Sequence, residues 1–281
     1  GRVNPAYVVA MAASVLYGSA DFTGGVASRR ASVPVATLTA WLAGLVALTI
    51  AAPFVAGTPH RADLAWAVAG GAAGALGGGL LYRALAIGPV GIASPIFCVV
   101  GLGLPVVVGL ALGERPHLPG VVGLLLAPLS IVLLTADDGG GEPGVARRAL
   151  VPSLAAGLVI GFFLVFMSRI REGTGMWPLA LARLVGTLAA LGFVLARRLP
   201  VTPPAGARAV STGAGVLDAA ANVAYVYAVQ RGSLALVAAL VSLAPATTVM
   251  LGRGVLHERW HRWQALGLAL ALAAGVLISL G

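Results

Sequence analysis

Two stretches of this chain, 144 positions apart, read nearly alike, and each closes a long apolar run. Gly113-Glu114-Arg115 ends one run and His257-Glu258-Arg259 ends the other. The correspondence extends outward without a gap, pairing Ala84 with Ala228, Gly88 with Gly232 and Gly123 with Gly267. An offset of about half of the 281 residues marks one internal duplication rather than a solenoid of short repeats. A duplicated apolar unit is the plan on which many transporters are built.

Composition sets the solvent. The chain is 59% hydrophobic and 10% charged, with a mean hydropathy of +0.98, whereas a soluble domain carries about 25% charged residues. The net charge of +9 raises nucleic acid as a partner. The basic residues, however, lie in short loops between apolar runs and form no continuous face. They read as topology determinants and lipid head-group contacts. All 18 basic residues are Arg, so a Walker A loop and a lysine Schiff base are both excluded. The single cysteine, Cys98, allows neither an intramolecular disulfide nor a thiolate metal cluster. No cofactor is expected. The expected partners are membrane lipids and a small-molecule substrate, without nucleic acid, for a chain that works as a monomer.

Reading between charges and Pro/Gly breaks yields ten spans, at residues 5–27, 34–56, 62–87, 89–112, 118–136, 149–168, 177–197, 208–230, 232–254 and 261–280. Each comes near the ~20 mostly apolar residues that a membrane-crossing helix needs. The fold class is therefore an all-α integral membrane protein. The first span is too long and too rich in Gly and Ser for a signal peptide, and reads as a retained helix. One distinctly hydrophilic linker, residues 137–148, divides a first five-helix repeat (1–136) from a second (149–281), the two forming one transport domain. Five is odd, so the second copy enters the membrane from the opposite side. Ten helices in two inverted repeats, with a pseudo-two-fold axis in the membrane plane, are the expected architecture. A ridge of Gly70, Gly74 and Gly78, with Gly71 and Gly79 alongside, predicts close helix approach. Pro53, Pro95, Pro105, Pro128 and Pro245 free carbonyls inside spans and permit kinks, with hinges expected at Pro95, Pro105 and Pro245. The arginine count over alternate loops favours both termini outside.

His257-Glu258-Arg259-Trp260-His261 spells HExxH. On a helix the two histidines would bind zinc while the glutamate acts as base, with Asp218 as a candidate third ligand. An intramembrane zinc metalloprotease is therefore the competing reading. Three observations oppose it. The repeat partner contains Pro116, which forbids an uninterrupted helix from Glu114 to His117. The motif also falls at a loop between spans, and the candidate third ligand precedes it rather than follows it. Glu114 and Glu258 are instead expected to form ion pairs or cap helix ends beside Arg115 and Arg259. No catalytic or metal site is expected, and the chain is not read as an enzyme.

Ionisable residues inside spans are costly, and function often explains them. Asp21 lies in the first span, Arg83 near the end of the third, Arg183 in the seventh and Asp218 near the middle of the eighth. Asn222 stands at i+4 from Asp218, on the same helix face. Two roles stay open: a carboxylate neutralises Arg83 or Arg183, or one takes up a proton during a transport cycle. A midplane cavity lined by Tyr17, Ser19, Tyr82, Phe162, Phe163, Asn222 and Tyr225 would suit small amphiphilic or zwitterionic solutes. Helix packing is the competing role for each.

Tyr82-Arg83-Ala84-Leu85, Gly88-Pro89, Ala93-Ser94-Pro95, Pro105, Gly113-Glu114-Arg115 and Gly120 together resemble the EamA repeat of the drug/metabolite transporter superfamily. Tyr17-Gly18-Ser19 resembles that family's aromatic-Gly-Ser signature, and Arg183 its early arginine in the second helix of a repeat. The likeness covers nearly the whole chain. It departs at His257, where the family has Gly, and in the sixth span, which lacks the aromatic-Gly signature. The resemblance implies a ten-helix secondary transporter with a central cavity between its halves. It also implies a multi-pass protein of the bacterial plasma (inner) membrane, usually an exporter of amino acids or related metabolites. It places both termini in the cytoplasm, against the arginine count.

Overall fold

The computed structural model describes residues 4–87, 90–134, 143–256 and 262–280, and within them every regular element is helical. The first half holds α1 (Pro5–Ser28), α2 (Val33–Ala51, ending in one 3-10 turn at Ala52–Phe54), α3 (Arg61–Ile87), α4 (Val90–Ala111) and α5 (Leu118–Leu134). The second holds α6 (Pro143–Ser168), α7 (Trp177–Ala196), α8 (Ala205–Arg231), α9 (Leu234–Val241), α10 (Ala244–Leu256) and α11 (Arg262–Leu280). Helix starts follow local chemistry. The Asn4 side chain accepts the Ala6 amide ahead of Pro5, and a proline just inside the start sacrifices an amide that has no helical partner.

Two boundaries differ from the sequence expectation. α6 begins at Pro143, inside the stretch read as linker, because Pro143 is itself a good first residue for a helix. The ninth span is two helices, broken at Ser242 and Leu243. Pro245 has no amide for the Val241 carbonyl and its ring crowds that turn, so the chain steps out just ahead of it. The position 144 earlier is Gly101, and there α4 runs on unbroken.

Packing occurs mostly between the halves rather than within them. α1 lies on α8 as α6 lies on α3, and α2 meets α8 as α7 meets α3. α4 meets α6 as α9 and α10 meet α1, while α2 pairs with α7 and α5 with α11. Exchanging the halves leaves this scheme unchanged, which is the signature of an internal two-fold. Loop contacts give its sense. The Thr58 amide, after α2, donates to the Gly173 carbonyl, after α6, at 3.1 Å. At the other end Arg30, after α1, donates to the Gly206 carbonyl, at the start of α8, at 3.0 Å. Halves running in the same direction would place the loop after α2 beside the loop after α7. The two halves therefore run in opposite directions.

The shared core is rich in small residues and takes Ala13, Leu48 and Ile131 from one half and Met167, Leu236 and Ile278 from the other. α9 is buried along its whole length. The outer faces are apolar and uncovered, with Ile50 63% exposed, Val107 63%, Leu125 71% and Val151 71%. A belt of this kind is what lipid covers. By length and composition four stretches can cross a bilayer: Val33–Phe54, Leu150–Ser168, Trp177–Ala196 and Leu234–Gly252. α1, α3 and α8 are longer than these, but Gly and inward-facing polar residues dilute their hydropathy.

Candidate functional site

Between the halves lies one cavity of about 290 Å³, at the small end of the roughly 300–1,000 Å³ typical of ligand pockets. Helices α1 to α4 and α6 to α10 border it, while α5 and α11 brace each other outside it. Its apolar wall repeats with the chain. Phe97, Cys98 and Gly101 on α4 line it, and so do their partners 144 positions on, Val241, Ser242 and Pro245, at the α9–α10 break. Further apolar lining comes from Ile160 and Phe163 of α6 and from Trp41 of α2.

The polar wall does not repeat. Asp218 on α8 stands where the first copy has Gly74, which also lines the cavity. The Arg183 guanidinium donates to the Asp218 carboxylate, and the two side chains are 11% and 29% exposed. Asn222, one turn on, donates its amide to the Asp218 carbonyl at 2.8 Å and to the carboxylate at 3.4 Å. The guanidinium carbon also lies 5.9 Å from the centre of the Trp41 ring, within cation–π range. Gly186 leaves room for the Trp41 ring, since an added Cβ there would sit 3.1 Å from it. A cation held by a carboxylate and an aromatic face can stay charged away from water.

α1, which packs on α8, supplies two more polar groups. Tyr17 and Asp21 both line the cavity, one helical turn apart. The Tyr17 hydroxyl is buried with no hydrogen-bond partner. Asp21 is exposed where it borders the cavity, and no hydrogen bond or ion pair to it occurs among the described residues. Between them Gly18 faces the Ala244 carbonyl, and a Cβ there would lie 2.6 Å from that of Thr247. The Thr248 hydroxyl donates to the Gly18 carbonyl at 3.0 Å. Gly18 is thus the seat of α10 on α1, and Tyr17 the residue beside it that reaches the cavity.

Of the residues singled out from sequence, Tyr17, Asp21, Phe163, Arg183, Asp218 and Asn222 come together at this cavity. Ser19, Phe162 and Tyr225 do not line it. The Ser19 hydroxyl donates to the Val15 carbonyl of its own helix. Phe162 is 40% exposed and stacks on Phe166, one residue's rotation away from the inward Phe163. Tyr225 is fully buried and donates to the Leu164 carbonyl at 2.7 Å, tying α8 to α6. The 3.6-residue period decides all three. The side chains of Tyr82 and Arg83, and the whole of His257–His261, lie outside the described residues. Among the described residues no group of three or more His, Cys, Asp or Glu is placed to hold a metal. Asp218, the candidate third zinc ligand, is engaged by Arg183.

Trp41, Phe97, Cys98 and Ser242 were not legible as lining residues. The repeat carried a signal for three of them, since Phe97 and Cys98 occupy the register of Val241 and Ser242.

The EamA-like transporter family matches the sequence twice, over residues 4–136 and 148–280. The two matches are offset by the same 144 positions as the internal repeat. No curated protein matches significantly. A crystal structure of a protein shares the fold with a TM-score of 0.80, covering 99% of this chain and 99% of that chain at 18% identity.

Proposed function

Because the chain belongs to the EamA-like transporter family, we propose that it exports small amphiphilic metabolites, amino acids or related compounds, by alternating access. In this reading all ten spans cross the plasma membrane of a bacterium, with α9 and α10 counted as one. The observation that carries the proposal is the cavity itself. It is enclosed by both halves, apolar over most of its wall, and holds the part-buried Arg183–Asp218 pair with a separate carboxylate at Asp21. An amphiphilic solute fits such a wall, since its apolar body meets Phe97, Phe163 and Ile160 while its charged end meets the ionic side.

The packing supports alternating access. Antiparallel halves offer two arrangements of one site, related by the two-fold and open to opposite sides. The test is uptake or counterflow of a panel of amino acids into proteoliposomes, with and without a pH gradient. Accumulation or exchange of at least one solute is expected. A protein that moves nothing under any gradient would not be a transporter of this class.

A further inference from the structure

We propose that Tyr17 and Asp21 form a subsite for a protonated amine, so that the solutes selected are those with a cationic nitrogen, and a carboxylate on them is dispensable. The inference rests on the transporter reading and names the substrate chemistry of the same cavity. It starts from a charge count. Among the described residues, Arg183, Asp218 and Asp21 are the charged ones on the cavity wall, and together they leave one negative charge in excess. Charge removed from water is tolerated when it is paired. Arg183 is already paired, by the Asp218 carboxylate and the Trp41 face. A substrate carboxylate would have to displace Asp218 and gain little by doing so. Asp21 has no such partner among the described residues, and neither has the hydroxyl of Tyr17 one turn away.

An ammonium group satisfies both. It carries the compensating charge for Asp21 and donates to the hydroxyl oxygen of Tyr17, which frees that hydroxyl's own proton for Asp21. A carboxylate without an amine meets the opposite conditions. It would enter a site that, among the described residues, has excess negative charge and no uncommitted cation.

Cys98, the only cysteine, lines this cavity and reports on it without any engineering. Two thiol reagents are compared on the detergent-solubilised protein, trimethylammonium-ethyl and sulfonato-ethyl methanethiosulfonate, each rate normalised to that with a small thiol in solution. The cationic reagent is expected to label faster by about tenfold, the lower end of electrostatic focusing in a charged cleft. Asp21→Asn should bring the ratio close to one. Phenethylamine and phenylalanine should protect Cys98 and 3-phenylpropionate should not. Tyr17→Phe, which keeps the ring, should weaken protection by phenethylamine while leaving the reagent ratio in place. Equal labelling by both reagents, or protection by 3-phenylpropionate as strong as by phenethylamine, overturns the subsite. Charge-selective labelling in a protein that moves no solute into proteoliposomes would keep the subsite and defeat the transporter reading instead.

Discussion

Arg183 is the residue on which the ionic side of the cavity depends, because Asp218 and Trp41 are both arranged around it. Removing Asp218 alone strands a guanidinium that is only 11% exposed. Asp218→Ala should therefore destabilise the protein by about 1–3 kcal/mol, the cost of a polar group left unpaired. The double change Arg183→Leu with Asp218→Leu should recover most of that loss, since apolar residues of similar size replace buried pairs at little cost. Thermal unfolding in detergent checks both, and a double variant no more stable than the single one would show that the pair is not coupled. Transport is expected to fail in each. By contrast, His257→Ala should leave transport in place, because its repeat partner is Gly113, which has no side chain to do chemistry. The i, i+4 relation of Asp218 and Asn222 was legible from spacing alone. That Arg183 meets Asp218, and that Asp21 meets neither, was not, because α1, α7 and α8 are brought together only by the fold.

At the scale of elements, the Gly-Glu-Arg signature of the first copy acquires a mechanical meaning. Gly113 ends α4 with φ +92°, a conformation that favours glycine. The turn aims Glu114 at the other half, away from an ion pair with the adjacent Arg115. Its carboxylate accepts the amides of Leu234 at 2.6 Å and Ala235 at 3.0 Å and the Ser233 hydroxyl at 2.6 Å. A carboxylate at a helix start answers both the unpaired amides and the positive end of the dipole. Glu114→Ala should cost about 1–3 kcal/mol for the groups left unpaired, and Glu114→Gln less. With roughly 2–4 °C of Tm per kcal/mol, differential scanning on the solubilised protein resolves the two. Gly71 and Gly215 are repeat partners that make the equivalent crossings, Gly71 against Ala182 of α7 and Gly215 against the Ala40 carbonyl of α2. A side chain at either would push backbone apart, so Gly215→Val should lower the yield of folded protein more than Gly206→Val, where a Cβ meets nothing. The glycine ridge announced close approach in the sequence. Which helix each glycine meets was beyond it, and a Cβ at Gly78 or Gly79 would meet nothing within 4 Å among the described residues.

For the whole molecule, the halves are fastened at one end by a clasp between loops. Asp63, with its side chain 1% exposed, accepts from Arg171 through the backbone amide and Nε at 3.2 Å and through a terminal nitrogen at 3.1 Å. The His60 amide adds a further bond at 2.9 Å. Burial pushes the Asp63 carboxyl up, but the Arg171 guanidinium and the two amides outweigh it and hold the group below the usual carboxylate range. A pKa lowered on folding contributes stability that is complete above the unfolded value of about 3.9 and is lost as pH falls through the folded value. Asp63→Asn should thus lower the Tm at neutral pH, and the gap to the wild type should close as the pH drops below about 4. A gap that stays constant down to pH 3 would remove the clasp from the account.

The amino-acid order by itself determined the solvent, the positions of nearly all helices, the two-fold repeat and the opposition of its halves. Hydropathy and an odd number of spans per copy are local or counting properties and need no knowledge of contacts. The tertiary structure alone decided the interdigitation, in which each helix packs mainly on the other half, and the break ahead of Pro245 that opens α9–α10 to the cavity. It also decided which polar side chains face one another. Those depend on helix rotation and on partners up to half a chain away, quantities that a 3.6-residue period constrains to a face but does not assign to a neighbour.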